Sequence, residues 1–260
     1  SVQVGLDPVT VRFRTPTEVW VVNHISDSIS VVDLTSRQIT ATLDTLDSPE
    51  DVVFAGSPPR AFVSCALPSQ VQVFDPVTRE SLRTIPIDGD RPMAMAVSPG
   101  GHKVYVAILE SGNASTILAP SLTKLTGLTP ASPVDFHFGP HAGLNPPPNS
   151  ESGFSPLINP ALGTNFPQRV GIIVKRNGRG RWMDDNQGDW TEFVSGTNAF
   201  LSGRVPGWDL PDRDLAVIDT ITFNVSYVPS LMNICLDVAV NPASGRIAVV
   251  GTDALNHLRF

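Results

Sequence analysis

The residues best suited to chemistry in this chain are gathered in one stretch rather than spread along it. Asp184-Asp-Asn-Gln-Gly-Asp189 brings carboxylate and carboxamide oxygens together beside a glycine. A hard cation such as calcium takes that donor set, with Asp184, Asn186 and Asp189 as the candidate ligands. The spacing departs from the Asp-x-Asp-x-Asp-Gly loop with its distal glutamate, and an acidic turn closing a hairpin has the same composition without a metal. Just before it, Lys175, Arg176, Arg179 and Arg181 form a basic cluster that could dock an acidic partner or solvate a turn. Trp182, Trp190 and Trp208, three of the four tryptophans, complete the set of candidate binding side chains.

The remaining reactive side chains are isolated. His137 and His141 are four apart, a metal-binding spacing on a helix, but Gly139 and Pro140 between them argue for a loop. His24, His102 and His257 lie near strand ends with no glycine elbow or nucleophile beside them, so no Ser-His-Asp arrangement is readable. Cys65 and Cys235 are the only cysteines. Neither a C-x-x-C nor a C-x-x-C-H motif occurs, which excludes a thiolate zinc cluster or a covalently attached haem within these residues. A disulfide between Cys65 and Cys235 and two unpaired thiols packed as small hydrophobes both fit the sequence.

Lys and Arg total 18 against 25 for Asp and Glu, a net charge of −7, which removes the basic excess that draws proteins to nucleic acid. No run of 18 or more apolar residues marks a membrane span. Ser1 opens no charged-then-apolar leader, so any leader is expected to have been removed. Asn113-Ala-Ser115 and Asn224-Val-Ser226 match the glycosylation acceptor, which matters only in a eukaryotic secretory cell.

The elements that must position these side chains are strands. Pro8 to Phe13, Pro49 to Phe54, Pro92 to Val97 and Cys235 to Val240 repeat one pattern, and the first three copies start 41 and 43 residues apart. In each, the third and fifth residues after the first are large and apolar, the period-two alternation of a strand. A second strand rich in β-branched residues follows at Val19–Asn23, Ala61–Cys65, Val104–Ile108 and Ile247–Gly251. A third ends on an aspartate at Asp33, Asp75 and Asp219, with Ser36, Thr78 and Thr222 three residues on, and a fourth strand follows each turn. Four antiparallel strands per roughly 42 residues predict an all-β chain of β-propeller blades, with no sustained helical periodicity.

The second strand reads Trp20-Val-Val-Asn23, Phe62-Val-Ser-Cys65 and Tyr105-Val-Ala-Ile108, and Gly-x-x-Pro junctions stand at Gly5–Pro8 and Gly89–Pro92. In these features the chain resembles the YVTN-type β-propeller repeat family, over about 160 residues in two blocks. The resemblance implies a ring larger than the three and a half blades counted here. On that expectation Phe260 interrupts a fourth blade, Ser1 to Gly5 are the tail of a preceding one, and the chain is part of a longer protein.

From the second strand to the aspartate is ten residues in the first two repeats but 111 in the third (108 to 219). The sequence thus divides into blades 1, 2 and half of 3 (1–110), a Pro-rich insertion (111–211), and the rest of blade 3 with half of blade 4 (212–260). The insertion holds twelve of the 24 prolines. Val170 to Met183 within it reads as a β-hairpin around Asn177-Gly178. The expected function is a non-catalytic binding module of a larger secreted, periplasmic or cell-surface protein, meeting a protein partner or the remainder of its own chain through the insertion. The run through Trp182-Met-Asp-Asp-Asn186, Gly207-Trp-Asp-Leu-Pro-Asp-Arg213 and Met232-Asn-Ile-Cys235 resembles long bacterial proteins of that family. Some of these continue into a c-type haem, electron-transfer or peroxidase-like region, which would lie outside this chain. A lactonase-like propeller hydrolase is a third reading, and it needs a polar cluster at the ring centre that the sequence does not reveal.

Overall fold

In a computed structural model, residues 1–118, 172–183 and 189–252 are described. The chain divides into two compact units, one formed by Ser1–Asn113 and the segment from Asp212, the other by Ala114–Pro211.

The first unit is made of stacked antiparallel sheets. Strands β1 (Pro8–Thr15), β2 (Glu18–Asn23), β3 (Ser28–Asp33) and β4 (Gln38–Asp44) pair in chain order, and β5 (Pro49–Ala55), β6 (Arg60–Cys65), β7 (Gln70–Phe74) and β8 (Ser81–Pro86) repeat the arrangement. The third sheet begins with β9 (Asp90–Val97) and β10 (Lys103–Glu110). It is completed by β14 (Leu215–Asp219) and β15 (Val225–Val228), so the insertion separates its second and third strands. A fourth sheet contains β16 (Ile234–Val240) and β17 (Ile247–Thr252). These are the blades of a β-propeller.

Successive side chains of a strand point to opposite sides, and the second and third blades carry apolar residues on both faces. Trp20 and Val22 of β2 meet Val63 and Cys65 of β6 across the first seam. Phe62 and Val73 on the other face of the second blade meet Val104, Val106 and Ile218 of the third. Ala107 and Leu215 then meet Cys235 and Val238 of the fourth. The β-branched and aromatic residues that favour strands are thus also those that fill the seams.

The hairpins joining third to fourth strands share one construction. The carboxylates of Asp33, Asp75 and Asp219 accept the backbone N–H of Ser36 (2.6 Å), Thr78 (2.9 Å) and Thr222 (2.8 Å). These bonds hold all three carboxyls below their usual range. Each contribution to stability is therefore present at neutral pH and lost as the group protonates in acid. The fourth residue after each aspartate, Arg37, Arg79 or Phe223, is left-handed (φ 57°, 68° and 62°). For an aromatic residue that conformation is costly. At Phe223 it is offset by a ring contact with Phe62 (6.3 Å between centroids) and by Arg83 over its face at 4.2 Å.

The second unit contains β11 (Ser115–Leu118), β12 (Ile172–Arg176) and β13 (Trp182–Met183), in that order in one sheet, followed by a single helical turn α1 (Thr191–Val194) and a 3-10 turn (Ala199–Ser202). These turns are too short for an apolar period to register in sequence. Between β12 and β13 the left-handed residue is Gly180 (φ 76°) rather than Gly178, and Asn177 Oδ1 accepts the N–H of Arg179 and Arg181. The turn is therefore a longer loop than an Asn-Gly dipeptide implies.

Phe62→Ala is expected to lower the free energy of unfolding by about 3–5 kcal/mol, whereas Leu82→Ala on the exposed outer strand should change it by less than about 1 kcal/mol. Urea denaturation of both variants checks the contrast.

Candidate functional site

The insertion residues singled out by sequence fall into three groups. Trp182 and Trp190 are each 1% exposed and pack with Leu118, Val174 and Val194 in the core of the second unit. Trp208 packs against that core, 5.7 Å from the Trp182 ring, beneath the guanidinium of Arg204. Of the three candidate binding tryptophans, Trp182 and Trp190 thus fill the core of the second unit, since a small unit needs large apolar volumes, and Trp208 is half-buried beside them. Arg176 pairs with Asp209 and Arg181 with Asp189. Among the described residues no carboxylate pairs with Lys175 or Arg179, so the hairpin keeps part of its basic character.

Asp189, the described member of the proposed cation set, is already committed. Besides Arg181 it accepts bonds from Thr191 N (2.9 Å) and Thr191 Oγ1 (2.5 Å), at the start of α1. Asp184 and Asn186 lie outside the described residues, as do His137, His141 and His257. Among the described residues no three His, Cys, Asp or Glu side chains converge as metal ligands. Nor is any helix there long and apolar enough to cross a membrane.

Cys65 and Cys235 are free thiols buried in different seams, so the disulfide considered on sequence is not formed. Burial pushes Cys65 up to about 12 and Cys235 up to about 11. Cys235 lies in the stem of the insertion, 3.7 Å from Ser111 Oγ and 3.6 Å from the buried Asp214 carboxylate. Asp214, itself shifted upward by burial, accepts the N–H of Leu231 and Met232. Gly112 and Asn233 exchange two bonds beside it.

The polar cluster that sequence reasoning missed lies where the first strands of the blades converge. Residues of β1, β5, β9 and β16 line a cavity of about 480 Å³. Its wall exposes polar and apolar surface in about equal measure, with Phe13, Phe54 and Met95 among its apolar members and Arg12 and Asp237 as its charged ones. A second hollow of about 260 Å³ shares Arg12 and Asp237 and adds Glu50 and Asp51. Asp51, 2% exposed, accepts from Arg12 Nε (3.0 Å), Arg12 Nη2 (2.8 Å), Val52 N (2.8 Å) and Met95 N (2.8 Å). One carboxylate thus ties the first strands of three blades together. Its bonds raise the pKa of Arg12, and Asp237 contributes in the same sense at longer range. Asp237 stands at the repeat position of Asp51 and likewise takes the N–H of the next residue, Val238, on Oδ1 (2.7 Å).

At the rim, His24 Nδ1 lies 3.1 Å from Glu50 Oε1 without hydrogen-bond alignment. Burial pushes the Glu50 carboxyl upward, with His24 opposing and Asp7 reinforcing the shift. The signal for this cluster was in the repeat: its third position is Asp in two of four copies, and Arg12 and Glu50 stand at other positions of the same pattern.

No model of a known protein family matches the chain, and no curated protein matches it. Among solved structures, it is similar to hydrazine synthase of Kuenenia stuttgartiensis, at 15% identity and a TM-score of 0.39 over 90% of this chain and 58% of that one. It is also similar to AztD from Citrobacter koseri in its apo form, at 14% identity and a TM-score of 0.31 over 35% of this chain and 26% of that one. A further AztD structure aligns over the same shares at 15% identity and a TM-score of 0.30. The chain thus spans less than two thirds of the length of each of these proteins.

Asp51→Ala should lower unfolding free energy by about 3 kcal/mol, since it strands the N–H of Met95 and the guanidinium of Arg12. Chemical denaturation measures this, and a loss under about 1 kcal/mol would show that the bonds do not tie the blades. Both thiols should resist iodoacetamide at pH 8 in the folded protein and react once it is unfolded in urea, read by mass spectrometry.

Proposed function

We propose that this chain is a non-catalytic binding module in which the propeller is the scaffold and the 111–211 insertion makes the contacts, with a protein partner or with the remainder of its own chain. What carries the reading is the way the insertion is mounted. The chain leaves the third blade after β10 and re-enters at β14, its immediate neighbour, with Ala107 opposite Leu215. Arg213 N donates to Ser111 O (3.4 Å) across the exit and entry points. The inserted residues have a core of their own. Recognition elements are commonly carried as insertions between the strands of a scaffold.

Its described surface suits contact. Phe200 and Val205 are 64% and 66% exposed, and Ile117 is exposed on the outer face of its sheet. With Lys175 and Arg179 they offer apolar and basic contacts on a chain whose net charge is −7. A partner surface with carboxylates around an apolar patch would complement them. The likeness of the repeats to the YVTN type supports a secreted, periplasmic or cell-surface setting.

The test is excision. Replacing residues 113–211 by a two-glycine link should leave the propeller folded, with a melting temperature within about 5 °C, because a short turn can join β10 to β14. Proteins retained by the whole chain from an extract of its source should be lost by the excised form and weakened by the K175E/R179E variant. Equal retention by all three forms would refute the assignment.

A further inference from the structure

The cavity lined by β1, β5, β9 and β16 belongs to the first unit and uses no residue of the insertion. Two polar groups in its wall each keep one open position. Arg12 is held by Asp51 through Nε and Nη2, and its Nη1 donates to nothing among the described residues. Asp237 takes the Val238 N–H on Oδ1, and its Oδ2 accepts nothing among them. Asp237 adds to the upward shift of Arg12, and the two side chains line the same cavity without forming an ion pair. Two residues that keep an open donor and an open acceptor therefore line one space of about 480 Å³ with mixed polar and apolar walls. That volume falls in the range of small-ligand sites.

The charges choose the ligand. Arg12 is already neutralised by Asp51, so an anion gains little from it and is repelled by Asp237. A simple cation would satisfy Asp237 but leave Arg12 Nη1 without an acceptor. A neutral hydroxyl accepts and donates at once, so one hydroxyl or an adjacent pair can take the Arg12 proton and give its own to Asp237. Phe13, 67% exposed on the cavity wall, adds an apolar ring face for the C–H side of a ring. We propose that the space between the first strands of the blades binds a neutral polyhydroxylated ring, such as a terminal sugar, between Arg12, Asp237 and Phe13.

The experiment is saturation-transfer NMR on the full chain with methyl glucoside, methyl galactoside and methyl mannoside, with propylammonium and acetate as comparison probes. At least one glycoside should bind with a Kd of about 1 mM. Asp237→Ala and Phe13→Ala should each weaken it about tenfold, as loss of one interaction worth a decade in affinity would. Both side chains sit at the surface, and unchanged melting temperatures would confirm that these variants stay folded. The insertion-excised form should bind the glycoside unchanged, which separates this site from the proposed partner surface. No glycoside binding, binding that survives both substitutions, or propylammonium binding more tightly than every glycoside and lost in Asp237→Ala would each overturn the proposal.

Discussion

A four-stranded sheet with apolar side chains on both faces cannot stand by itself in water. The second and third blades have that character, and the rest of the first unit follows from it. Trp20 is buried only because the second blade supplies Val63 and Cys65 opposite, and Phe62 only because the third supplies Val104 and Ile218. Stability therefore resides in seams rather than in individual sheets, as in other repeat architectures where each unit is completed by its neighbours. The apolar seams are non-directional and leave the blades free to slide. Asp51 removes that freedom, because its bonds to Arg12 and Met95 are satisfied in only one alignment of three first strands.

Most of this architecture was legible because it is local and repeated. Alternation in β1, β5, β9 and β16, the aspartates at 33, 75 and 219, and their Ser or Thr partners are short-range features that recur at one spacing. What stayed hidden is whatever the seams and turns decide. Asp51 and Asp237 look like stray acids in apolar strands until the four strands are placed around one cavity. The left-handed backbone at Phe223 contradicts its residue type and is tolerated only through Phe62 and Arg83, which come from another blade.

The insertion shows the opposite limit. Its tryptophans were conspicuous, but composition cannot say whether a large aromatic fills a core or faces a partner. In a unit of this size Trp182 and Trp190 fill the core. The pairing of Arg176 with Asp209 spans 33 residues and no motif announces it. Asp189 resembled a cation ligand by its neighbours in sequence, and in space it accepts bonds from Thr191 and Arg181.

The bond between Ser111 and Arg213 also bears on how the molecule comes to be folded. The first two blades can close as soon as each is synthesised, since their strands are joined by short turns. The third must hold β10 unpaired on one edge until the insertion has emerged. Closing a flexible loop of about a hundred residues rather than a few adds roughly 2–3 kcal/mol of entropy. An insertion that collapses first onto its own tryptophan core brings its ends together and removes most of that term. On this view the order of events is built into the chain: the guest folds before its host blade can finish.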